Sequence, residues 1–262
     1  MYREIIAIRK HLKKKLSPSR FEHTLGVSYT CMALAMRYGA DLDQAELAGL
    51  LHDCAKRYDD ETILQKCEER GLPLTEGEYR APAIVHAKLG AWMAEHKYGV
   101  TDAQVLSAIA CHTTGRPGMT LLEKIVYIAD YIEPRRERAP HLTELRRLAF
   151  EDLDEALYRI LSQTLSYLKE QDQPADETTE KTWAYYRDRR EERANTEPER
   201  NPDPKGEPRD FETGTGVRED SQKEQNKQEP KEEYSLYDRS KRYGKGRRAG
   251  AGRQKRRRYP GH

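Results

Sequence analysis

With 262 residues, 36% of them hydrophobic and 35% charged, the chain can hold one large domain or two small ones, and its net charge of +2 hides a gradient: −2 over residues 1–190, −7 over 191–238 and +11 over 239–262. No stretch approaches the roughly 20 apolar residues of a membrane span. The N-terminal MYREIIAIRKHLKKK scatters charge where a signal peptide would be apolar. The four cysteines, Cys31, Cys54, Cys67 and Cys111, form no C-x-x-C pair, so the expectation is a cytoplasmic protein with reduced, mostly buried thiols, and neither a membrane protein nor a disulfide scaffold.

In chain order, Ile5, Ile8, Leu12 and Leu16 predict a first helix over about 2–15. Ser17-Pro18 pairs an N-cap with a proline at the first helical position and opens a second, carrying Phe21, Leu25, Tyr29, Met32 and Met36 and stopping at Gly39. A third is expected from about Asp43 to Lys56, and Asp59-Asp60 caps a fourth that ends at Gly71. Pro82 starts a helix reaching about Lys97, and Thr101 caps the next, to about His112. Gly115-Arg116-Pro117-Gly118 reads as a loop, Thr120 to Tyr131 as a strongly apolar helix, and Leu153 to Lys169 as a long amphipathic one. Trp183, Tyr185 and Tyr186 suit either a short last helix docked on it or a flanking linker. Period-2 alternation is absent over strand lengths, and there is no repeat, G-x-G-x-x-G or P-loop. The fold class is all-α, a helical bundle, a frame that suits metal sites projecting inward from facing helices.

From about Glu191 onward Phe211, Val217 and Leu236 are nearly the only strongly apolar residues besides tyrosine. Too little can be buried there to offset the entropy of ordering the backbone, so residues 191–262 are expected to form a disordered C-terminal tail, acidic and then strongly basic, behind a domain of residues 1–190. The acid-free block from Arg239, with Tyr243 and Tyr259 among its arginines, has the chemistry to hold polyanions such as RNA or the ribosome, and equally that of a solvated, self-repelling tail.

The chemistry lies in six polar interruptions of apolar faces. His23 sits in R-F-E-H-T-L-G-V, His52-Asp53 ends the run A-G-L-L, His86 follows Ile84-Val85, His112 follows A-I-A-C and Asp130 follows I-V-Y-I-A. A lone histidine on such a face is ordinarily a satisfied core residue. Six interruptions that include two carboxylates call for a counter-charge, because an isolated buried carboxylate is expensive. A divalent cation supplies that charge and can be ligated by neutral imidazoles.

His23, His52-Asp53 and Asp130 reproduce the H…HD…D pattern of the HD-domain phosphohydrolases, and His86 and His112 match the extra ligands of its two-metal branch. The strings A-G-L-L-H-D-C-A-K, H-A-K-L-G-A, C-H-T-T-G and I-A-D-Y-I-E-P-R-R, with the one around His23, closely resemble the bacterial HD-domain diadenosine tetraphosphate hydrolases of the symmetrical type, the YqeK family, over about residues 2–170. The long tail departs from the family pattern. The resemblance implies an HD-domain helical bundle, a homodimer, and symmetrical cleavage of a dinucleoside polyphosphate, diadenosine tetraphosphate, to two ADP by a metal-activated water. It implies two divalent metal ions, iron foremost and manganese next: His23, His52 and Asp130 on one, His86 and His112 on the other, and Asp53 bridging.

Around these ligands, Asp53 and Lys56 are the expected catalytic residues, Lys56 placing a charge one turn after Asp53. Arg20, one turn before His23, Thr113-Thr114-Gly115 after His112, and Arg135 and Arg136 after Glu133-Pro134 are the expected substrate contacts, the arginines as bidentate phosphate clamps. Each is equally compatible with a surface salt bridge or a cap, and Glu133 could instead fix an arginine. No metal is expected at His11, His96, His141 or His262. Two competing readings are an HD phosphohydrolase of another nucleotide and an RNA- or ribosome-associated binding protein that works through its basic tail.

Overall fold

A computed structural model describes residues 2–137 and 139–196; every described element is helical. The expected tail from residue 197 onward, its basic block and His262 lie outside the described residues. The helices are α1 Tyr2–Lys15, α2 Pro18–Tyr38, α3 Leu42–Leu51, α4 Asp60–Glu68, α5 Glu76–Arg80, α6 His86–Tyr98, α7 Ala103–Cys111, α8 Leu121–Ile132, α9 Leu142–Glu151, α10 Leu153–Glu170 and α11 Glu177–Thr196. A 3₁₀ turn, Pro82–Ile84, precedes α6.

Capping chemistry sets most boundaries. Ser17 accepts from the Arg20 amide and Gly39 closes α2 at φ 73°, where a side chain would be strained. Thr120 and Glu123 form a reciprocal capping box at the head of α8. Asp102, rather than the expected Thr101, caps α7 by accepting from the amides of Gln104 and Val105.

The core joins Leu12, Leu34, Leu50, Leu51, Ile63, Leu89, Ile109, Ile125, Ile128 and Leu157, all fully or almost fully buried, each contributing about 1.5–3 kcal/mol of transfer free energy. Central to it is the close approach of α2 and α3: a Cβ on Gly49 would stand 2.7 Å from the Ser28 Cα. The three cysteines Cys31, Cys54 and Cys67 are buried, Cys111 is half-buried, and all four are free.

Where the structure differs from the sequence reading, tertiary packing explains it. The third helix stops at Leu51, not Lys56; residues 52–57 continue as a turn closed by bonds such as Cys54 N to Leu51 O and Lys56 N to Asp53 O. Cys54 and Ala55 are buried beyond the helix end, so the apolar pattern runs on after the helix does. The helix expected from Pro82 is split into the 3₁₀ turn and α6. Neither α5 nor α9 is anticipated. The region of Trp183, Tyr185 and Tyr186 is a 20-residue helix, α11, that runs six residues past position 190. It docks through Trp183 Nε1 on Ser162 Oγ at 2.9 Å and through the Tyr186 hydroxyl, which accepts from the Met119 amide at 3.0 Å.

Candidate metal centre

Five elements deliver the six residues. His23 is in mid-α2, His52 and Asp53 follow the end of α3, His86 begins α6, His112 caps the end of α7, and Asp130 lies in the last turn of α8. The structure brings all of them together.

Three of the imidazoles use one local device. His52 Nδ1 lies 2.7 Å from Gly49 O, His86 Nδ1 2.6 Å from Ala83 O, and His112 Nδ1 2.7 Å from Ile109 O. A carbonyl only accepts, so each Nδ1 carries the proton and each Nε2 is left for a ligand. In every case the carbonyl is three residues earlier, within the same turn. His23 Nδ1 instead faces the Glu133 carboxylate, 3.3 Å from Oε1. Such outer partners fix tautomer and ring orientation at metal-binding histidines.

The free Nε2 atoms surround the carboxylates. Asp53 Oδ1 is 3.1 Å from His86 Nε2 and 3.7 Å from His112 Nε2, while Oδ2 is 3.5 Å from His52 Nε2 and 3.7 Å from His23 Nε2. Its two oxygens thus face two different pairs of imidazoles. Asp130 Oδ1 lies 3.1 Å from His23 Nε2 and 3.9 Å from His52 Nε2. Two donor groups, His23 with His52 and Asp130, and His52 with Asp53 and His112, each keep their ligand atoms within 4.8 Å of one another. His52 and His112 are fully buried, Asp53 nearly so, and the Asp130 side chain is 25% exposed, so the cluster opens at its His23–Asp130 end.

Both carboxylates of the cluster are held ionised. Burial pushes the Asp53 carboxyl up, but the surrounding imidazoles of His52, His112 and His86 outweigh it and hold Asp53 well below the usual carboxylate range. Asp130 is likewise lowered, burial being outweighed by the neighbouring imidazoles of His23 and His52. His86 and His112 approach at 3.1 Å, Nε2 to Nε2, a contact that admits at most one proton between two lone pairs. The buried Nε2 atoms of His23 and His52 have no hydrogen-bond partner. A donor set of four imidazole nitrogens and two carboxylates fits divalent cations.

The expected substrate residues divide. Arg20, Arg135 and Arg136 line one open cleft of about 480 Å³ together with His23 and Glu133. Two of these guanidiniums also hold the cluster: Arg20 Nη1 is 2.7 Å from Asp53 Oδ2, and Arg136 Nη2 3.0 Å from Asp130 Oδ1. Arg135 pairs at 3.0 Å with Glu22. Lys56 does not line that cleft; its Nζ donates to Ala83 O at 3.2 Å, the carbonyl that also orients His86. Nor do Thr113, Thr114 and Gly115, which have other neighbours: Thr113 Oγ1 donates to Ile84 O, Thr114 Oγ1 to Gly115 O, and a Cβ on Gly115 would meet Thr182 Cγ2 of α11 at 2.8 Å. His11, His96 and His141 lie outside the cluster.

Glu133 is the residue whose part the sequence reading understates. Its side chain is 3% exposed; one oxygen faces His23, and the other accepts from the Arg135 backbone amide at 2.7 Å, not from a guanidinium. Gly26 makes the room, since a Cβ there would stand 2.6 Å from Glu133 Oε2. The signal is an acid at i+3 from Asp130, next to Pro134, matched with a glycine at i+3 from His23.

The HD domain family matches residues 20–135. The chain is 42% identical over 163 residues to the "Bis(5'-nucleosyl)-tetraphosphatase, symmetrical" of Bacillus subtilis (strain 168), covering 62% of this chain and 87% of that one. It is 40% identical over 166 residues to the Staphylococcus aureus (strain NCTC 8325 / PS 47) protein of the same name, covering 61% and 82%. It is also similar to the crystal structure of a predicted HD superfamily hydrolase involved in NAD metabolism from Clostridium acetobutylicum, with a TM-score of 0.68 and 39% identity, covering 70% of this chain and 96% of that one.

Proposed function

The chain belongs to the HD-domain family of symmetrical bis(5'-nucleosyl)-tetraphosphatases, and from that premise we propose that it cleaves diadenosine tetraphosphate symmetrically, to two ADP. The observation that carries the reading is Asp53, whose two oxygens face separate pairs of imidazoles beside an arginine-lined cleft.

In this proposal His23, His52 and Asp130 would hold one divalent ion and His86 and His112 another, with Asp53 serving both. Iron suits the imidazole-rich donors, with manganese next. When bound, such ions supply an activated water and neutralise phosphate charge. The chain's own groups do the positioning. The Nδ1 partners of the four histidines keep Nε2 available. Arg20, Arg135 and Arg136 take polyphosphate oxygens in the cleft, the planar guanidinium matching phosphate geometry. Arg20 and Arg136 also hold Asp53 and Asp130 in place, and Lys56 adds positive charge on the His86 side. Thr113, Thr114 and Gly115, outside that cleft, are proposed as further substrate contacts through the turn after His112; the two hydroxyls donate to Ile84 O and Gly115 O and keep lone pairs to accept from a nucleotide. By the same likeness we infer a homodimer in the cytoplasm, a state that light scattering on the full chain tests. No helix among the described residues is long and apolar enough to cross a membrane.

The deciding experiment is anaerobic purification, metal analysis and product identification after incubation with diadenosine tetraphosphate. ADP as the sole nucleotide product, with about two metals per chain, is the expected result. ATP with AMP would overturn the symmetrical assignment, and bound metal without turnover would overturn the substrate.

A second function rests on the charge of +11 over residues 239–262, which we propose retains RNA. Truncation after residue 196 should abolish retention on immobilised RNA and leave hydrolysis intact; retention by the truncated chain would sink that idea.

A further inference from the structure

Arg136 lines two cavities. One is the arginine-rich cleft beside His23; the other, of about 570 Å³, lies between the end of α8, the segment before α9, and α10. The second is within the size range of small-molecule pockets, and its lining differs in kind. Tyr131, Tyr167, Gln163, Thr164 and His141 stand around it with Arg136. Three arginines stand in the first cleft with Glu133 and Glu137, whereas the second sets one arginine against Glu170 and is otherwise made of neutral polar, aromatic and small apolar groups.

We propose that this second cavity takes one nucleoside of the substrate, its base stacked on tyrosine, while the phosphates run past Arg136 into the arginine cleft. The inference rests on the hydrolase reading above and assigns the end of the substrate that the metal centre leaves unplaced.

Three observations argue for it. Arg136 lines both cavities and its guanidinium is 3.0 Å from Asp130 Oδ1, so one side chain links the second cavity to the proposed metal centre. Gln163 is oriented: its Oε1 accepts from the Tyr131 hydroxyl at 3.0 Å, which leaves its amide NH₂ as a donor with no partner among the described residues. A planar base offers ring-nitrogen and exocyclic acceptors to such a donor and a π face to tyrosine. Finally, His141, on the rim, is one of two described non-glycine residues at positive φ, at 55°. That backbone position is uncommon for a side-chain-bearing residue, and here it turns the chain around the cavity into α9. A diphosphate needs charge and a nucleoside needs a neutral, partly aromatic surface; the two cavities divide those requirements at Arg136.

The test compares binding of ADP and of inorganic pyrophosphate to the full-length, metal-loaded chain by equilibrium dialysis. Tyr167 is 59% exposed, so Tyr167→Ala should fold; Gln163→Leu removes the free donor. The wild type is expected to bind ADP at least tenfold more tightly than pyrophosphate. Tyr167→Ala and Gln163→Leu together should erase that preference by weakening ADP alone. Unchanged ADP affinity in the variants would overturn the proposal, as would an equal loss for pyrophosphate, which would mark the pocket as a phosphate site or a structural support. The two readings fail separately: absence of diadenosine tetraphosphate turnover by the wild type sinks the hydrolase, while a nucleoside preference abolished in the variants would still stand as a binding result.

Discussion

The deep histidines of the cluster and the one at its rim are oriented by different parts of the chain. His52, His86 and His112 each give Nδ1–H to a carbonyl three residues earlier, a support that no side-chain substitution can remove while the local turn persists. His23 depends on a carboxylate 110 residues away, Glu133, which fits only because Gly26 lacks a Cβ. Asp53 is shared between the two halves, and Asp130 belongs to the rim, where Arg136 holds it. A site built this way has a rigid half, set by helix ends, and an adjustable half, set by long-range side chains. Substitutions should separate the two.

The largest effect is expected where the halves meet. Asp53→Ala removes the one carboxylate among the described residues that faces all four imidazoles, and His52→Ala the ring that stands between His23 and His112. Either should lower kcat/KM by more than about 1,000-fold, roughly 4 kcal/mol of transition-state stabilisation, and Asp53→Ala should strip both metals. Metal analysis breaks the comparison if Asp53→Ala keeps its full complement, since the carboxylate would then not be shared.

Glu133→Ala should act on the rim alone. Loss of an outer-shell partner typically weakens metal binding by about 10–100-fold, so about one metal per chain should become exchangeable in a chelator titration while the other stays. Equal loss of both would show that the two halves are not separable.

Gly26→Ala and Gly49→Ala sharpen the point with the same added methyl. At Gly26 the methyl meets a carboxylate oxygen at the end of a side chain, which can swing away; the expected result is a weaker copy of Glu133→Ala, within about tenfold in metal affinity. At Gly49 it meets the Ser28 Cα at 2.7 Å, and backbone cannot swing. Overpacking there should cost about 1–3 kcal/mol of stability, read as a lower Tm, without a selective loss of one metal.

The same division decided what was legible in the sequence. His52, His86 and His112 each end or begin a helical run, so a polar residue interrupting an apolar face was a local signal, and the six candidates do converge. The helix ends themselves were harder. Cys54 and Ala55 remain buried beyond Leu51, so periodicity continued the third helix five residues too far, and the short α5 carries no buried residue at all to announce it. Side-chain partners across the fold left no periodic trace. Arg20 and Arg136 read as phosphate ligands, but each also holds a carboxylate of the cluster, and only the tertiary structure brings Glu133 to His23. Thr113-Thr114-Gly115 reads as a binding turn from its composition, but nothing in that string shows that Gly115 packs against Thr182, on a helix expected to be short or absent.

A second buried glutamate supplies the control, with the smallest expected effect on hydrolysis. Glu123 lies near the head of α8 as Glu133 lies at its end, yet none of its partners is one of the six cluster residues: it accepts from Ser107, from the Thr120 amide at 2.7 Å and from Arg116 at 2.9 Å. Burial pushes its carboxyl up, but the hydrogen bonds from Ser107, Thr120 and Arg116 outweigh burial and leave it below the ordinary glutamate value of 4.5. A depressed folded value means that the unfolded chain binds the proton more readily. The stabilisation is therefore fully present above 4.5 and is lost as pH falls through the folded value. Glu123→Gln should lower stability by about 1–3 kcal/mol at neutral pH, the cost of leaving Arg116 and its neighbours poorly paired, with metal content and turnover unchanged. In denaturant titrations the gap between wild type and variant should stay constant from pH 7 to about 5 and narrow only below that. If Glu123→Gln instead released a metal, burial of a glutamate on α8 would be enough to disturb the site, and the distinction between its two ends would be lost.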